Sequence, residues 1–348
     1  MSVPTVTLAP GYTIPRIIKG GWQLAGGHGS VDSARAIADM ATFAEAGITA
    51  FDCADIYTGV EALIGAFLRE WRAMHGPSGP AIRVHTKCVP DLDALATLRR
   101  PDIERIIDRS LARLGVETLD LVQLHWWDFD VSGVEAAAGH LAAMQQEGKI
   151  QQIGVTNFDA PRLRALLDAG VPVISNQVQL SLLDRRPLGD MATLCAQRGV
   201  HLLAYGALAG GFFDVRWLGV PEPAEPLENR SLVKYKLIIE EFGGWTAFQR
   251  VLQLLHEIAA ARGTTIGAIA IGSVLCEPAV SAAIVGARHT GHLPATLAAL
   301  RVTLTDDERR ALQSLIAHAN GPRGDVYAIE REKGGRHASI MRYNLNTE

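Results

Sequence analysis

A short apolar run followed by a helical pattern recurs eight times along this chain of 348 residues. Four consecutive helical patterns end in glycine just before the next apolar run, at Gly115, Gly148, Gly170 and Gly199, and glycine is a stop signal for helices. The alternation predicts parallel strands joined by helices, and eight units favour a closed (β/α)8 TIM barrel over an open sheet. The predicted strands cover residues 17–21, 48–53, 82–88, 119–125, 150–157, 173–180, 200–208 and 281–287.

Other segments depart from this alternation. They are an N-terminal hairpin over 5–17, a long loop over 210–230 after the seventh strand, an extra C-terminal helix over 305–317 and a polar tail over 319–348. The tail has no clear helical pattern, and we expect it to pack near the open end of the barrel. A chain of this length fits one α/β barrel domain over 1–348, with the barrel core at about 15–318.

Composition narrows the classes of partner. The net charge of −4 gives no reason to expect a nucleic-acid partner. We find no signal-peptide pattern and no apolar run of membrane-spanning length, so we expect a cytoplasmic protein with no membrane contact, as a monomer or homo-oligomer. The four cysteines have no metal-ligand spacing and no disulfide framework. Cys53 and Cys88, each beside a candidate catalytic residue, leave a redox question open.

Titratable side chains stand at three neighbouring strand ends. Asp52 is at the end of the second predicted strand, Lys87 of the third and His125 of the fourth, and Tyr57 follows Asp52 by five residues. In a barrel these ends converge on one opening, where active sites lie. A buried ion pair could explain Asp52 with Lys87, and a core histidine could explain His125. Four such groups at one opening make a catalytic site the better interpretation.

These four groups can polarise a carbonyl and deliver a proton to it. Lys87 near Tyr57 would favour the phenolate and so lower the phenol's pKa from its usual value of about 10. Asp52 would hold Lys87 and compensate its charge, while His125 could donate a hydrogen bond to a substrate oxygen and orient it. No group here is a reductant, so carbonyl reduction must take its hydride from a cofactor.

Further strand ends suit a dinucleotide cofactor. Tyr205 offers a flat face to a nicotinamide ring, and Asn157 and Gln177 can bond its carboxamide. The glycine-rich run 206–211 lets the backbone approach a pyrophosphate closely. Arg288 stands just before a predicted helix start, and an arginine beside a helix N-terminus suits a phosphate.

Apolar and aromatic residues at the same opening predict the substrate pocket. Trp22, Ile56, Trp126 and Trp127 would line a mouth that accepts aldehydes, ketones or sugars, with the loop 210–230 as a lid. Because neighbours on a strand face opposite sides, only one of Trp126 and Trp127 can face the pocket.

Several motifs together resemble the aldo-keto reductase superfamily, in a bacterial-type branch, over about residues 15–318. They are FDCADIY at 51–57, TK at 86–87, LDLVQLH at 119–125, IGVTNF at 153–158, NQVQLSLLD at 176–184, YGALAGG at 205–211 and IVGAR at 284–288. The resemblance implies NAD(P)H-dependent reduction of aldehydes or ketones, or oxidation of the corresponding alcohol or sugar. It also implies Tyr57 as general acid, Lys87 and Asp52 as its tuning pair and His125 as the orienting group.

The same resemblance implies NADPH as cofactor, with NADH possible. The candidate cofactor contacts are Gly21, Trp22, Asp52, Thr156, Asn157, Gln177, Tyr205, Gly206, Leu208, Gly210, Gly286, Arg288 and His292. The glutamine, acid and asparagine that hold the adenosine in this family are replaced here by His292, Ala295 and Thr296. The preference for NADPH therefore depends on Arg288 alone.

Two other interpretations are weaker. The glycine-rich run 20–29 follows a strand, as in a Rossmann dinucleotide fold, but it does not match G-x-G-x-x-G. From a different functional class, the chain could be an NADPH-binding regulatory subunit, since relatives of this fold in channel complexes keep the same four residues. Turnover of simple aldehydes would distinguish an enzyme from such a subunit.

Overall fold

Parallel strands close into a barrel in the computed structural model, which describes residues 3–25, 29–76 and 78–346. The strands are the hairpin β1 (Thr5–Ala9) and β2 (Tyr12–Pro15), and the barrel strands β3 (Ile17–Gly20), β4 (Ala50–Asp52), β5 (Arg83–Cys88), β6 (Leu119–Leu124), β7 (Ile150–Thr156), β8 (Val173–Gln179), β9 (His201–Tyr205) and β10 (Val280–Gly286). The barrel strands pair in chain order, and β10 pairs with β3 to close the ring. The predicted eight-stranded TIM barrel and the N-terminal hairpin are confirmed.

Helices surround the barrel and cover the outer faces of its strands. They are α1 (Ser33–Glu45), α2 (Val60–His75), α3 (Arg100–Leu114), α4 (Val134–Gln146), α5 (Ala160–Asp168), α6 (Asp190–Arg198), α7 (Arg230–Phe242), α8 (Gly244–Ala261), α9 (Ile266–Leu275), α10 (Leu293–Ala299), α11 (Asp306–Ala317), α12 (Ala328–Arg331) and α13 (Arg336–Ser339). The predicted stop signals act as expected at Gly115 and Gly199, whose φ angles of 65° and 67° lie in the left-handed region. The predicted loop contains two short 3₁₀ turns before α7 begins.

The inward-facing side chains change from apolar to polar along the barrel axis. Strand side chains alternate with a period of two, so Ala50 and Asp52 share one face of β4, and Leu121 and Gln123 share one face of β6. Ala50 and Leu121 pack at the closed end with the hairpin residue Tyr12 in one apolar cluster. The hairpin fills one end of the barrel, and the polar ends of the strands surround the opposite, open end.

The C-terminal tail packs at this opening, as expected. It also contains two short helices, α12 and α13, which the sequence did not predict. Tyr327, just before α12, lies with its ring 5.7 Å from the ring of His125. Glu330 in α12 forms an ion pair with Arg186 at 2.9 Å, and Arg186 also pairs with Asp184 at 2.7 Å. All three side chains are at most 2% exposed, so this buried ion triad fixes the near end of the tail.

The far end of the tail is anchored on the loop after β5. The Asn346 amide Nδ2 donates to the Val89 carbonyl at 2.7 Å, and the Asn346 backbone N–H donates to Asp91 at 3.0 Å. Between the two anchors, Tyr343 packs edge-on against Trp127 with ring centroids 5.1 Å apart. The segment 326–346 therefore forms a roof over one side of the barrel opening.

Within the described part of the chain, no single helix is long and apolar enough to cross a membrane. The pair α8 and α9 meets the length and composition test only jointly, with a bend of 99° between them. The same residues contain no group of three or more metal-ligating side chains.

Neutralising Glu330 should loosen the roof without opening the barrel. In Glu330→Gln the buried Arg186 loses one of its two carboxylates, and breaking a buried pair costs about 3–5 kcal/mol. We expect amide hydrogen exchange across 326–346 to become at least about tenfold faster, measured by mass spectrometry, with exchange in the barrel strands unchanged. Glu332→Gln, an exposed neighbour, is the matched control. Unchanged exchange in the Glu330 variant would contradict the anchoring role.

Candidate active site

The structure brings Asp52 and Lys87 together as a buried ion pair. The Lys87 Nζ donates to the Asp52 Oδ1 at 2.7 Å and to the Cys53 carbonyl at 2.7 Å. Each side chain is only 5% exposed. Burial lowers the pKa of Lys87, but the charge of Asp52, the neighbouring Tyr57 and the hydrogen bond to Asp52 together raise it overall, so the ammonium stays charged.

Two glutamines complete the coordination of Asp52. The Gln177 amide donates to the Asp52 Oδ2 at 2.6 Å, and the Gln123 amide donates to the same oxygen at 3.1 Å. The Gln177 amide nitrogen also donates to the side-chain Oε1 of Gln123 at 3.0 Å. Sequence reasoning gave Gln123 no role, although it shares the inward face of β6 with Leu121. The network fixes the carboxylate in place and so fixes Lys87.

Tyr57 lies over Lys87 and beside Trp22. The Lys87 Nζ is 5.2 Å from the centre of the Tyr57 ring, and the Trp22 ring is 5.0 Å away. Burial raises the pKa of Tyr57 above its usual value, and the charge of Lys87 opposes this only in part. The expectation of a net lowered pKa is therefore wrong, because desolvation of the phenolate outweighs the lysine. Tyr57 holds its proton at neutral pH.

Burial keeps the ring of His125 neutral, and the carbonyl of Thr156 fixes its orientation. Its Nδ1 lies 3.2 Å from that oxygen, and a carbonyl can only accept, so Nδ1 carries the hydrogen. Burial lowers the pKa of His125 to about 3. Nε2 is then an acceptor, and the predicted donation from His125 to a carbonyl substrate would need a second proton that burial opposes.

Asn157 and Gln177 present one donor and one acceptor for a carboxamide. The Tyr205 hydroxyl donates to the Asn157 Oδ1 at 2.8 Å, which leaves Nδ2 as a donor. The Gln177 nitrogen is bonded to Asp52, which leaves Oε1 as an acceptor. Asn157 has a φ of 62°, a left-handed conformation that asparagine tolerates. The neighbouring Thr156 hydroxyl donates to the Gln177 carbonyl at 3.2 Å.

A cavity of about 1030 Å³ opens at the strand ends. It contains all four candidate catalytic residues and most of the predicted cofactor and substrate residues. Those lining it are Trp22, Ile56, Trp127, Thr156, Asn157, Gln177, Tyr205, Gly206, Leu208, Gly210, Gly286, Arg288 and His292. Sequence reasoning missed His289, whose ring stacks on that of His292 at 5.3 Å, and the lining residues of the roof.

Two predicted site residues lie outside the cavity. Trp126 is fully buried, and its indole Nε1 donates to the Val131 carbonyl at 3.0 Å, so it packs behind the strand end. The backbone N–H of Gly21 donates to the Asp52 carbonyl at 2.7 Å. A Cβ at Gly21 would lie 2.8 Å from that oxygen, so glycine allows β3 to approach Asp52.

The buried thiols give no sign of a reactive centre. Cys53 and Cys88 are free and fully buried. Burial raises the pKa of each thiol well above its usual value, which disfavours the reactive thiolate.

The chain matches the sequence model of the aldo/keto reductase family over residues 16–317. The chain belongs to the aldo/keto reductase family. It is therefore an oxidoreductase of a family that generally uses nicotinamide cofactors and acts on small-molecule substrates.

Individual family relatives are distant. The chain is 29% identical to the chloroplastic pyridoxal reductase of Arabidopsis thaliana, over 77% of this chain and 73% of that protein. It is 30% identical to flagellar radial spoke protein 5 of Chlamydomonas reinhardtii over 63% of this chain, but this match spans only 48% of that protein. A glycerol dehydrogenase from Gluconobacter oxydans shares the fold, with a TM-score of 0.75, 24% identity, and coverage of 90% of this chain and 94% of that one.

A second histidine is buried below the site. His85 is fully buried in β5, its ring nitrogens have no hydrogen-bond partner among the described residues, and burial lowers its pKa from 6.5 to about 4. Below pH 6.5 His85 becomes protonated in the unfolded chain but stays neutral in the folded chain until the pH approaches 4. The stability that neutral His85 provides is thus complete above pH 6.5 and is lost as the pH falls toward 4.

Replacing His85 should make the fold less sensitive to acid. Between pH 7 and pH 5 we expect the wild type to lose about 2 kcal/mol of unfolding free energy from this one histidine. In urea denaturation at pH 7 and pH 5, the loss of unfolding free energy in His85→Leu should be smaller than in the wild type by about 2 kcal/mol. His318→Leu, at an exposed position, is the control. An equal loss in the wild type and His85→Leu would show that His85 is protonated in the folded chain.

Proposed function

We propose that this protein reduces aldehydes or ketones with NADPH, or oxidises the corresponding alcohols or sugars, with Tyr57 as general acid. One observation carries the proposal: a protonated phenol lies against a buried Lys87–Asp52 pair in the cavity that also holds a donor and an acceptor for a carboxamide. The alternative, an NADPH-binding regulatory subunit with residual reductase activity, uses the same residues but predicts turnover well below ordinary enzyme rates.

The chain's own residues bind, orient and move a proton. When bound, NADPH supplies a hydride to the carbonyl carbon. Asn157 Nδ2 and Gln177 Oε1 would hold its carboxamide, and the Tyr205 ring would offer a flat face beside it. Tyr57 gives its proton to the carbonyl oxygen as negative charge develops there. The positive charge of Lys87 stabilises the Tyr57 phenolate that remains, and it does so more strongly than it stabilises the neutral phenol.

His125 acts in this proposal as an acceptor. Its neutral ring, with Nδ1 bonded to Thr156, can accept a hydrogen bond from a substrate hydroxyl. That hydroxyl is the alcohol in the oxidation direction, or a neighbouring hydroxyl when the carbonyl belongs to a sugar. His125 therefore positions hydroxyl-bearing substrates, while Tyr57 alone donates to the carbonyl.

The preference for NADPH rests on the strand end at β10. Arg288 lines the cavity beside the stacked His289 and His292. Guanidinium and imidazole donors suit the 2′-phosphate that distinguishes NADPH from NADH. Ala295 and Thr296 offer no acid for the ribose hydroxyls, so the phosphate carries most of the discrimination.

The substrate side of the cavity is aromatic and apolar. Trp22, Ile56 and Trp127 line it from the barrel, and Met341 lines it from the roof. These walls suit a small aldehyde with a ring or a short chain. Pyridoxal, named for the Arabidopsis relative, belongs in a panel of aldehydes, ketones and sugars read by NADPH absorbance in both directions.

Removing the Tyr57 hydroxyl should abolish proton delivery and spare cofactor binding. In Tyr57→Phe we expect kcat/KM on the best carbonyl to fall by about 10² or more, with the Kd for NADPH unchanged by fluorescence titration. Tyr12→Phe, which removes a buried hydroxyl at the closed end, is the matched control and keeps the wild-type rate. A Tyr57 variant with near full activity would refute the general-acid role.

Arg288 should discriminate between the two cofactors. We expect Arg288→Gln to raise the Kd for NADPH about tenfold or more and to leave the Kd for NADH nearly unchanged, because only NADPH carries the 2′-phosphate. Arg250→Gln, on the exposed side of α8, controls for loss of net charge. Equal dissociation constants for NADPH and NADH in the wild type would contradict the phosphate role.

A further inference from the structure

The cavity is lined by more positive charge than its own carboxylates balance. Among the described lining residues, six lysines and arginines face two aspartates. One aspartate, Asp52, is committed to Lys87. The other, Asp214, accepts from the backbone N–H of Arg216, and the Arg216 guanidinium lies 3.5 Å from Glu228. Excess positive charge beside a substrate cavity is a sign of an anionic ligand.

Lys234, the fifth residue of α7, is the most enclosed of the remaining cations. Its Nζ stands 5.1 Å from the Tyr205 ring and 5.7 Å from each of the Tyr235 and Tyr327 rings. The described residues offer it no carboxylate within 4 Å and no hydrogen-bond acceptor. Cation–π contacts stabilise an ammonium by about 0.5–2 kcal/mol, but they satisfy none of its three N–H donors. Burial lowers the pKa of Lys234.

Arg230 and Arg342 form a second unbalanced pair. Arg230 begins α7 and lies 5.6 Å over the Trp22 ring, and Arg342 comes from the roof and lines the same cavity. Burial and then the nearby charge of Arg342 lower the pKa of Arg230. The part of the chain that the structure describes gives neither guanidinium an ion-pair partner. The two positive charges that line one cavity repel each other, and an anion between them would relieve this repulsion.

One aromatic ring separates Lys234 from His125, and another separates Arg230 from Tyr57. The Tyr327 ring that touches Lys234 lies 5.7 Å from the His125 ring. The Trp22 ring under Arg230 lies 5.0 Å from the Tyr57 ring. This spacing matches a short substrate whose carbonyl meets Tyr57 and whose far end meets the cations.

We propose that Lys234, Arg230 and Arg342 form an anion subsite, and that the preferred substrate is an aldehyde or ketone carrying a carboxylate or phosphate. The inference rests on the proposed function, since it assigns the substrate class of the same site. Lys234 and Arg230 come from α7 and Arg342 from the roof, so selectivity is set outside the barrel strands that carry the chemistry.

Matched pairs of aldehydes test this subsite and distinguish the two anions. The carboxylate arm compares 4-carboxybenzaldehyde with its methyl ester, and the phosphate arm compares glycolaldehyde phosphate with glycolaldehyde. In the wild type we expect kcat/KM to favour the anion at least tenfold in one arm. Lys234→Met and Arg342→Gln should each reduce that ratio about tenfold, mainly through KM. The control is Lys236→Met on the same helix, whose Nζ pairs with Glu222 and Glu240 and which does not line the cavity.

The other outcomes separate the two proposals. Turnover of all four aldehydes with no preference for either anion would overturn the subsite and leave the reductase intact. A higher Kd for NADPH in the Lys234 and Arg342 variants, with an unchanged substrate ratio, would assign these cations to the cofactor's phosphates and also overturn it. No turnover of any aldehyde in either direction would instead refute the proposed function.

Discussion

The buried pair of Lys87 and Asp52 is the interaction on which the rest of the opening depends. Burial without a partner favours the uncharged form of a lysine, and Asp52, 2.7 Å from the Lys87 Nζ, opposes this. Asp52 in turn needs donors for its second oxygen, which Gln177 and Gln123 supply. Because the Gln177 Nε2 donates to Asp52, only the Gln177 Oε1 remains to bind a ligand. One ion pair thus fixes the surroundings of Tyr57 and leaves the Gln177 Oε1 as a hydrogen-bond acceptor in the cavity.

Much of this arrangement could be predicted because it follows from strand geometry. The period of two places Asp52 and Lys87 on the inward face of their strands, and strand order makes β4 and β5 neighbours. A pattern of apolar runs and glycine stops therefore fixes both the barrel and the side chains that share its opening. That the whole chain is one domain remains a prediction.

The rest could not be predicted because it depends on contacts between distant segments. Lys234 faces the cavity only because α7 packs against the short 3₁₀ turn that follows β9. Tyr327 reaches His125 only because Glu330 pairs with Arg186, 144 residues earlier. The pKa of Tyr57 depends on how completely the surrounding residues exclude water from its hydroxyl, and no local sequence motif predicts this. The same holds for Trp126 and Trp127. The alternation of side chains predicts that one of them faces the cavity, but only the folded structure shows that it is Trp127.

The roof over the barrel opening has a consequence for how such a protein can diverge. Hydrogen bonds between neighbouring strands close the barrel, and its last strand in the described chain ends at Gly286, before the roof begins. Changes within 340–345 alter a wall of the cavity while every strand pair stays as it is. New specificities can therefore arise by drift in the last part of the chain, without passing through intermediates that fail to fold.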